Sequence, residues 1–309
     1  MEKGFLVVSS ANMDMVMNVN RVPEAGETII ETGNYRYVPG GKGANSAVAI
    51  SRLGGKCTFL TKIGNDANGE ALLSLYKNEG IDVSFIKKDE AAPTGLATIF
   101  VEKSGQNRIS VFAGANQKIE KETIDAAIKK RPCALYMQFE INHDAIIHAA
   151  LEASKSNIPI FIDAGPADKT FPLEKLPYLE VFSPNESETY GFTGIKPTDE
   201  SSCKEACLVL LKRIKAKYIV IKLGSKGAYV FDGKNGKIYP SYDIEVVDTT
   251  AAGDAFTAAL ALKYIECKDM DVACKFANCA GTLTVSRHGA SSSIPSLAEV
   301  QKFYESIDA

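Results

Sequence analysis

The chain has 309 residues, 45% of them hydrophobic and 24% charged, with a formal net charge of -3 at pH 7. That gives room for one large α/β domain or two small ones, with the composition of an ordinary globular protein. A mildly acidic chain without a long Lys/Arg run is ill suited to non-specific binding of nucleic acid or of an anionic membrane.

The first element expected is a strand over residues 5–9. Its apolar run stops at Asn12 and Asp14, too early for the core of a signal peptide. Nowhere do the ~20 apolar residues of a membrane span occur in a row. The seven cysteines form no CxxC pair. They read as reduced packing thiols of a cytoplasmic protein, not as a zinc or redox motif. Asn12 and Asp14 sit where the strand ends. A carboxylate accepts from two adjacent hydroxyls and an amide both donates and accepts, so the pair suits a sugar. An Asx turn accounts for the same residues.

Residues 28–38 alternate apolar and polar side chains, as a half-buried strand does. Pro39-Gly40-Gly41-Lys42-Gly43-Ala44-Asn45 then leads into a helix over 44–53. The paired glycines allow a ligand to come close and give hinge-like freedom. The GxxxxGK[ST] spacing of a P-loop is absent, and a plain glycine turn explains the segment as well. A strand over 56–62 and a helix over 71–79 follow. A second alternating region spans 94–112, with a hairpin signal at Lys103-Ser104-Gly105-Gln106-Asn107. Together the two alternating regions make a small antiparallel sheet projecting from the main domain. Its apolar face has to be covered by substrate, by another subunit or by both.

Further along, strands are expected over 135–139, 159–163, 181–183 and 218–223, and helices over 144–154, 203–213, 253–264 and 272–285. This alternation implies a mostly parallel sheet with helices on both faces and ligands at the carboxyl ends of its strands. Tyr136-Met137-Gln138-Phe139-Glu140 ends one strand in an acid, which is either a binding group or a solvated strand end. Ser183-Pro184-Asn185-Glu186-Ser187-Glu188 sets an amide and an acid three residues apart at a helix start. They suit a hydrated, phosphate-bound magnesium ion, or equally a capping box. Lys222-Leu223-Gly224-Ser225-Lys226-Gly227-Ala228 suits a backbone wall beside a nucleotide, or a hairpin turn. Thr284-Val285-Ser286-Arg287-His288-Gly289-Ala290, with Ser291 to Ser293 beyond, offers carbonyls for a monovalent cation, or is an ordinary loop. His288 has no identifiable partner and takes no catalytic role.

Asp248-Thr249-Thr250-Ala251-Ala252-Gly253-Asp254 is the most informative stretch. Small residues and a glycine open a long helical pattern, where unpaired N–H groups and the helix dipole attract an anion. Asp254 cannot bind phosphate, but it can take a proton from a hydroxyl that attacks phosphorus. An anion hole beside a base indicates phosphoryl transfer to an alcohol. An Asp-capped helix entered through a glycine turn is the plainer reading.

Taken in order, these motifs resemble the ribokinase branch of the phosphofructokinase-B family of carbohydrate kinases, from Val7 to about Pro295. Gly40 to Asn45 and Asp248 to Asp254 are the most specific, and Ala113-Gly114-Ala115-Asn116 and Met137-Gln138-Phe139-Glu140 also look ribokinase-like. The resemblance implies a ribokinase-like three-layer α/β sandwich with a central, mostly parallel sheet and a small antiparallel β lid. The core would comprise residues 1–11, 40–93 and 113–309, and the lid 12–39 and 94–112. The implied reaction is ATP-dependent phosphorylation of the 5-hydroxyl of D-ribose. Asp254 would be the base, and the N–H groups of Ala251, Ala252 and Gly253 the anion hole. Asn12, Asp14, Gly41, Lys42, Asn45 and Glu140 would hold the sugar. Asn185 and Glu188 would position magnesium and phosphates through water. Lys222, Gly224, Ser225, Gly227 and Asn278 would line the nucleotide site, with Gly253 between the two ligands. A potassium site would use Asp248, the carbonyls of Thr250, Thr284, Arg287 and Gly289, and Ser293. Sugar binding would close the lid, and two lids would pack in a homodimer. There are two departures. Lys222 stands where many relatives carry Thr, and Ile162-Asp163-Ala164-Gly165-Pro166 replaces the commoner Asn-Pro-Ala-Pro. Alternative expectations are a kinase for another small sugar or nucleoside, 2-deoxyribose first, and a non-catalytic sugar-binding regulator on the same fold.

Overall fold

A computed structural model describes residues 4–104 and 106–307. The first third contains β1 (Phe5–Val8), β2 (Asn12–Val19), β3 (Tyr35–Gly40), α1 (Lys42–Arg52), β4 (Cys57–Gly64), α2 (Ala67–Asn78), β5 (Ile86–Asp89), β6 (Gly95–Glu102) and β7 (Asn107–Phe112). The middle contains α3 (Lys121–Ile128), β8 (Ala134–Met137), α4 (His143–Lys155), β9 (Ile160–Asp163), β10 (Leu179–Ser183), α5 (Glu186–Thr193) and α6 (Glu200–Leu210). The last third contains β11 (Ala216–Lys222), β12 (Ala228–Phe231), β13 (Gly236–Tyr239), α7 (Ala252–Cys267), α8 (Met270–Val285) and α9 (Leu297–Ile307).

One sheet runs in the order β13-β12-β11-β10-β9-β8-β1-β4-β5. Its strands are parallel from β11 through to β5, and β12 and β13 return antiparallel at one edge. The strands are short and apolar on both faces because helices cover both. β1 shows the logic. Phe5 and Val7 enter one core and Leu6 and Val8 the other, as period-two alternation requires. Val48 of α1, Leu260 of α7, Ala277 of α8 and Val300 of α9 fill the first core. Ile124 of α3, Ile146 of α4 and Cys207 of α6 fill the second. Each fully buried Leu, Ile or Phe contributes about 1.5–3 kcal/mol of transfer free energy. The chain leaves β1 toward β4 on one side and β8 on the other, so the carboxyl end of β1 is a topological switch point, where ligands bind.

The second sheet, β3-β2-β6-β7, stands over that end. Its outer pairs are antiparallel and its central pair, β2 with β6, is parallel. Residues 28–34 do not belong to it; the strand expected there begins at Tyr35. Conversely, Asn12 and Asp14, expected just past the end of the first strand, open an eight-residue strand of the second sheet. Ladder bonds to two neighbours override the poor β-propensity of Asn12, Asp14 and Asn18. The hairpin signal joins β6 to β7, and its Gly105 lies outside the described residues. The other expected elements occur with ends shifted by a few residues, and β5, β12, β13, α3 and α9 are additions. Cys57, Cys203, Cys207, Cys274 and Cys279 are buried. No helix among the described residues is long and apolar enough to cross a membrane.

Candidate active site

A cleft of about 1130 Å³ lies between the carboxyl ends of the parallel strands, the second sheet and the start of α7. Asn12 and Asp14 lie at one end and Gly224, Ser225 and Asn278 at the other, with Ala251 to Asp254 along the wall. Ala97, Ile99, Ile109 and Val111 of the second sheet form an apolar roof.

At the first end, Asn12 and Asp14 are two residues apart on β2 and share its cleft face. Asn116 fixes the first of them: its Nδ2 donates to Asn12 Oδ1 (2.7 Å), and the Ala11 N–H donates to its Oδ1 (3.0 Å). Gly40 leaves room for the second, since a Cβ there would lie 2.1 Å from Asp14 Oδ2. Gly41 has φ of 91° and caps α1, a conformation that favours glycine. The turn brings the Lys42 N–H onto Glu140 Oε2 (3.0 Å), which also accepts from Ser10 Oγ (2.5 Å). Burial, reinforced by the negative charges of Glu140 and Asp254, pushes the Asp14 carboxyl up to about 7. Asn45 Nδ2 donates to Asp254 Oδ2 (2.8 Å), while Asn45 Oδ1 is buried with no hydrogen-bond partner among the described residues. Leaving a buried acceptor unpaired costs about 1–3 kcal/mol, so this oxygen suits a ligand hydroxyl.

Asp254 occupies the first turn of α7 and is 5% exposed. Burial pushes its carboxyl up to about 6 against the pull of Lys42 and Asn45, and the charges of Asp163 and Glu140 push the same way. Lys42 Nζ lies 3.8 Å from Asp254 Oδ1, and that carboxylate holds the ammonium well above the usual lysine range. The residue that caps α7, Ala251, is left-handed with φ of 63°. Ala251, Ala252 and Gly253 all line the cleft, and first-turn N–H groups have no carbonyl one turn back. The Ala252 N–H makes a long bond to the Thr249 carbonyl, at 3.3 Å.

At the far end, Asn185 and Glu188 do form a capping box. Asn185 Oδ1 accepts from the Glu188 N–H (2.8 Å) and Glu188 Oε2 from the Asn185 N–H (2.7 Å). The box sets both side chains at the cleft, where Glu188 Oε1 comes close to Gly165. The same two residues therefore cap α5 and line the cleft. The Gly224 to Lys226 turn joins β11 to β12 as a hairpin, and Gly224 and Gly227 line the cleft as its wall. Asn278 also lines it, with Nδ2 donating to the carbonyls of Tyr239 (3.1 Å) and Pro240 (3.0 Å). Lys222 Nζ donates to Asp163 Oδ1 (2.5 Å) and Thr257 Oγ1 (3.3 Å).

The residues read as a monovalent-cation site are joined in part. Asp248 Oδ1 accepts from the Thr250 N–H (2.9 Å) and Oγ1 (2.6 Å), and Oδ2 accepts from the Gly289 N–H (3.0 Å). Burial works to raise this carboxyl, but the bonds from Thr250 and Gly289 outweigh it and hold it below the usual range. A carboxylate kept ionised beside two loops fits a cation without requiring one. Arg287 N–H reaches the Thr284 carbonyl (3.3 Å), and Ser293 Oγ donates to Ala290 (2.8 Å). Apart from Thr250, these residues lie outside the cleft lining.

The model of the pfkB family of carbohydrate kinases matches residues 3–297. The chain belongs to the pfkB family of carbohydrate kinases. A ribokinase of Haemophilus influenzae is 35% identical over 309 residues, covering 99% of each chain. The structure of Arabidopsis thaliana ribokinase complexed with ribose and ATP is similar at a TM-score of 0.90 and 30% identity, covering 99% of each chain. A deoxyribokinase of Salmonella typhimurium is 29% identical over 96% of this chain and 97% of its own. For a pfkB kinase the two departures in sequence turn out to be one feature, since Lys222 and Asp163 pair with each other. Ser10, Asn116, Gln138 and Thr257 bond to lining residues from behind the cleft wall, and the sequence reading assigned them no role. Ser10, Asn116 and Gln138 lie inside the segments Ser9 to Asp14, Ala113 to Asn116 and Met137 to Glu140 that drew attention in the sequence, whereas nothing local marks Thr257. Gln138 Nε2 donates to the Lys42 carbonyl (3.0 Å) and to Ser46 Oγ (2.8 Å), and so steadies the α1 entry.

Proposed function

We propose that this kinase transfers the γ-phosphoryl group of ATP to the 5-hydroxyl of D-ribose. The observation that carries the reading is the place of Asp254, a buried carboxylate at a helix N-terminus, between hydroxyl-binding groups and a glycine-lined wall. Asn12, Asp14 and Glu140 take the sugar hydroxyls, with Gly41, Lys42 and the free oxygen of Asn45 completing the set. Asp254 accepts the proton of the attacking hydroxyl, which makes it a stronger nucleophile. The N–H groups of Ala251, Ala252 and Gly253 and the Lys42 ammonium meet the charge on the phosphoryl group in transit. Asn185 and Glu188 would hold, through water, the magnesium ion that neutralises phosphate charge. Lys222, Gly224, Ser225, Gly227 and Asn278 flank the nucleotide. Asp248 and its loop partners, with Ser293, would hold a potassium ion that steadies the entry to α7. Closure of the apolar roof excludes water, which limits wasteful hydrolysis of ATP. In this reading the lid 12–39 and 94–112 moves against the rest, two copies pair through it, and ATP as donor places the reaction in the cytoplasm.

The test is ADP release with magnesium-ATP and potassium, comparing D-ribose with 2-deoxyribose at equal low concentration. Preference for ribose is expected, with Asn12 and Asp14 reading the 2-hydroxyl. Preference for deoxyribose keeps the mechanism and moves the specificity. Activity with neither overturns the substrate assignment and favours a sensor or another alcohol.

A further inference from the structure

Lys222 is a cation that the phosphoryl-transfer reading above leaves with no more than a lining role. Its ammonium has three donors. One goes to Asp163 Oδ1 (2.5 Å) and one to Thr257 Oγ1 (3.3 Å). Thr257 Oγ1 in turn donates to the Gly253 carbonyl (3.1 Å), one turn back on α7. A Cβ on Gly253 would lie 3.7 Å from Lys222 Nζ, so the charge stands against the peptide that precedes Asp254. Lys222 lines the cleft, and its side chain is only 11% exposed. Two hydrogen bonds leave one donor of the ammonium for an anion that enters the cleft. Asp163 is 1% exposed at the end of β9, a poor neighbour for phosphate unless neutralised.

The geometry points to Lys222 as a phosphate-binding residue that donates its third N–H to the γ-phosphoryl group of ATP, with Asp163 as the positioning residue that aims it. This rests on the kinase reading above. An ammonium held beside the transferring group stabilises charge that grows at its oxygens, and being held in advance it needs no reorganisation. The pair is also one charge-neutral unit, so the site gains a phosphate contact without an unpaired buried acid.

The test must separate this role from a merely structural ion pair. Lys222→Met alone strands a buried carboxylate, so the decisive protein is the neutral double variant Lys222→Met/Asp163→Asn. Calorimetric titration with magnesium-ADP and with a magnesium-bound non-hydrolysable ATP analogue, no sugar present, gives the ratio of the two affinities. Loss of the γ-phosphate contact is expected to weaken the analogue by about tenfold or more and ADP by less than about threefold. Turnover of the double variant should fall by about 10- to 100-fold, with the KM for sugar within about twofold. In Asp163→Asn alone, Lys222 keeps its charge but loses its aim, so kcat falls while the KM for ATP does not rise. A folded double variant with the wild-type affinity ratio and wild-type kcat overturns the proposal and leaves the pair structural. Failure of the ribose assignment would show separately, as wild-type protein that binds nucleotide without turning over D-ribose. The titration would still decide the case of Lys222.

Discussion

At Asp254, burial and charge act in opposite directions. Desolvation penalises the ionised form, while Lys42 at 3.8 Å and the Asn45 amide favour it. The outcome, about 6, lies near the value that serves a base at neutral pH: ionised enough to accept, basic enough to pull. The sign follows directly. Only the carboxylate accepts a proton, so turnover at saturating sugar and ATP is present above about 6 and lost as pH falls through it. Asp254→Asn keeps the shape and removes the acceptor. It is expected to lower kcat by about 10²–10⁴ while sugar binding, read by calorimetry, changes by no more than a few-fold. Near-normal turnover in that variant would remove Asp254 from the base role. Asp14 at about 7 titrates in the same range, and if it holds the sugar as proposed its effect appears in KM and not in kcat.

At the scale of elements, the start of α7 holds a strained residue beside the cleft. Ala251 is one of few non-glycine residues with positive φ, and it adopts that conformation where the helix turns its N–H groups to the cleft. A left-handed alanine costs roughly 1–2 kcal/mol, and a β-branched residue costs more. Ala251→Val should lower both Tm and kcat, whereas Ala251→Gly should keep kcat and leave stability within about 1 kcal/mol, because released strain offsets added chain entropy. Thermal unfolding and steady-state rates on both variants check this; equal loss in both would mean that φ at this position is immaterial. α7 was legible from its small-residue entry, as was the parallel sheet from its alternating elements. β2 was not, because Asn12 and Asp14 are turn formers by propensity and only pairing with β3 and β6 makes them strand residues. Nor was the joining of Lys222 to Asp163, which lie 59 residues apart on β11 and β9. Local pattern carries no information about which two strand ends meet. The Asn185–Glu188 motif was legible as a cap, and its hydrogen bonds leave both residues in the cleft lining.

The whole molecule leaves one surface unexplained by its own chain. The four-stranded sheet is covered by its core at one end only. β7 is exposed along its full length, with Ile109 60% and Val111 54% accessible on its cleft face. Along the cleft face, Asp14, Ala97 and Val111 lie in register, and so do Val16, Ile99 and Ile109, so the row that holds Asp14 passes directly into a wholly apolar one. A single small sugar covers the first row and cannot cover the second. A second copy of the same sheet can, because a two-fold contact sets each strip against its own image and removes both from water. Sedimentation velocity at micromolar protein is therefore expected to give twice the chain mass of 33.3 kDa. Two substitutions locate the face. Ile109→Lys places a charge in the strip, and a two-fold contact counts it twice; this variant should sediment as a monomer with a raised KM for sugar. Tyr37→Lys changes the opposite face of the same sheet and should remain dimeric. A wild-type protein that is monomeric throughout the micromolar range would mean that the strip is covered by the closing lid alone. The dependence of KM on Ile109 would then be a property of one chain.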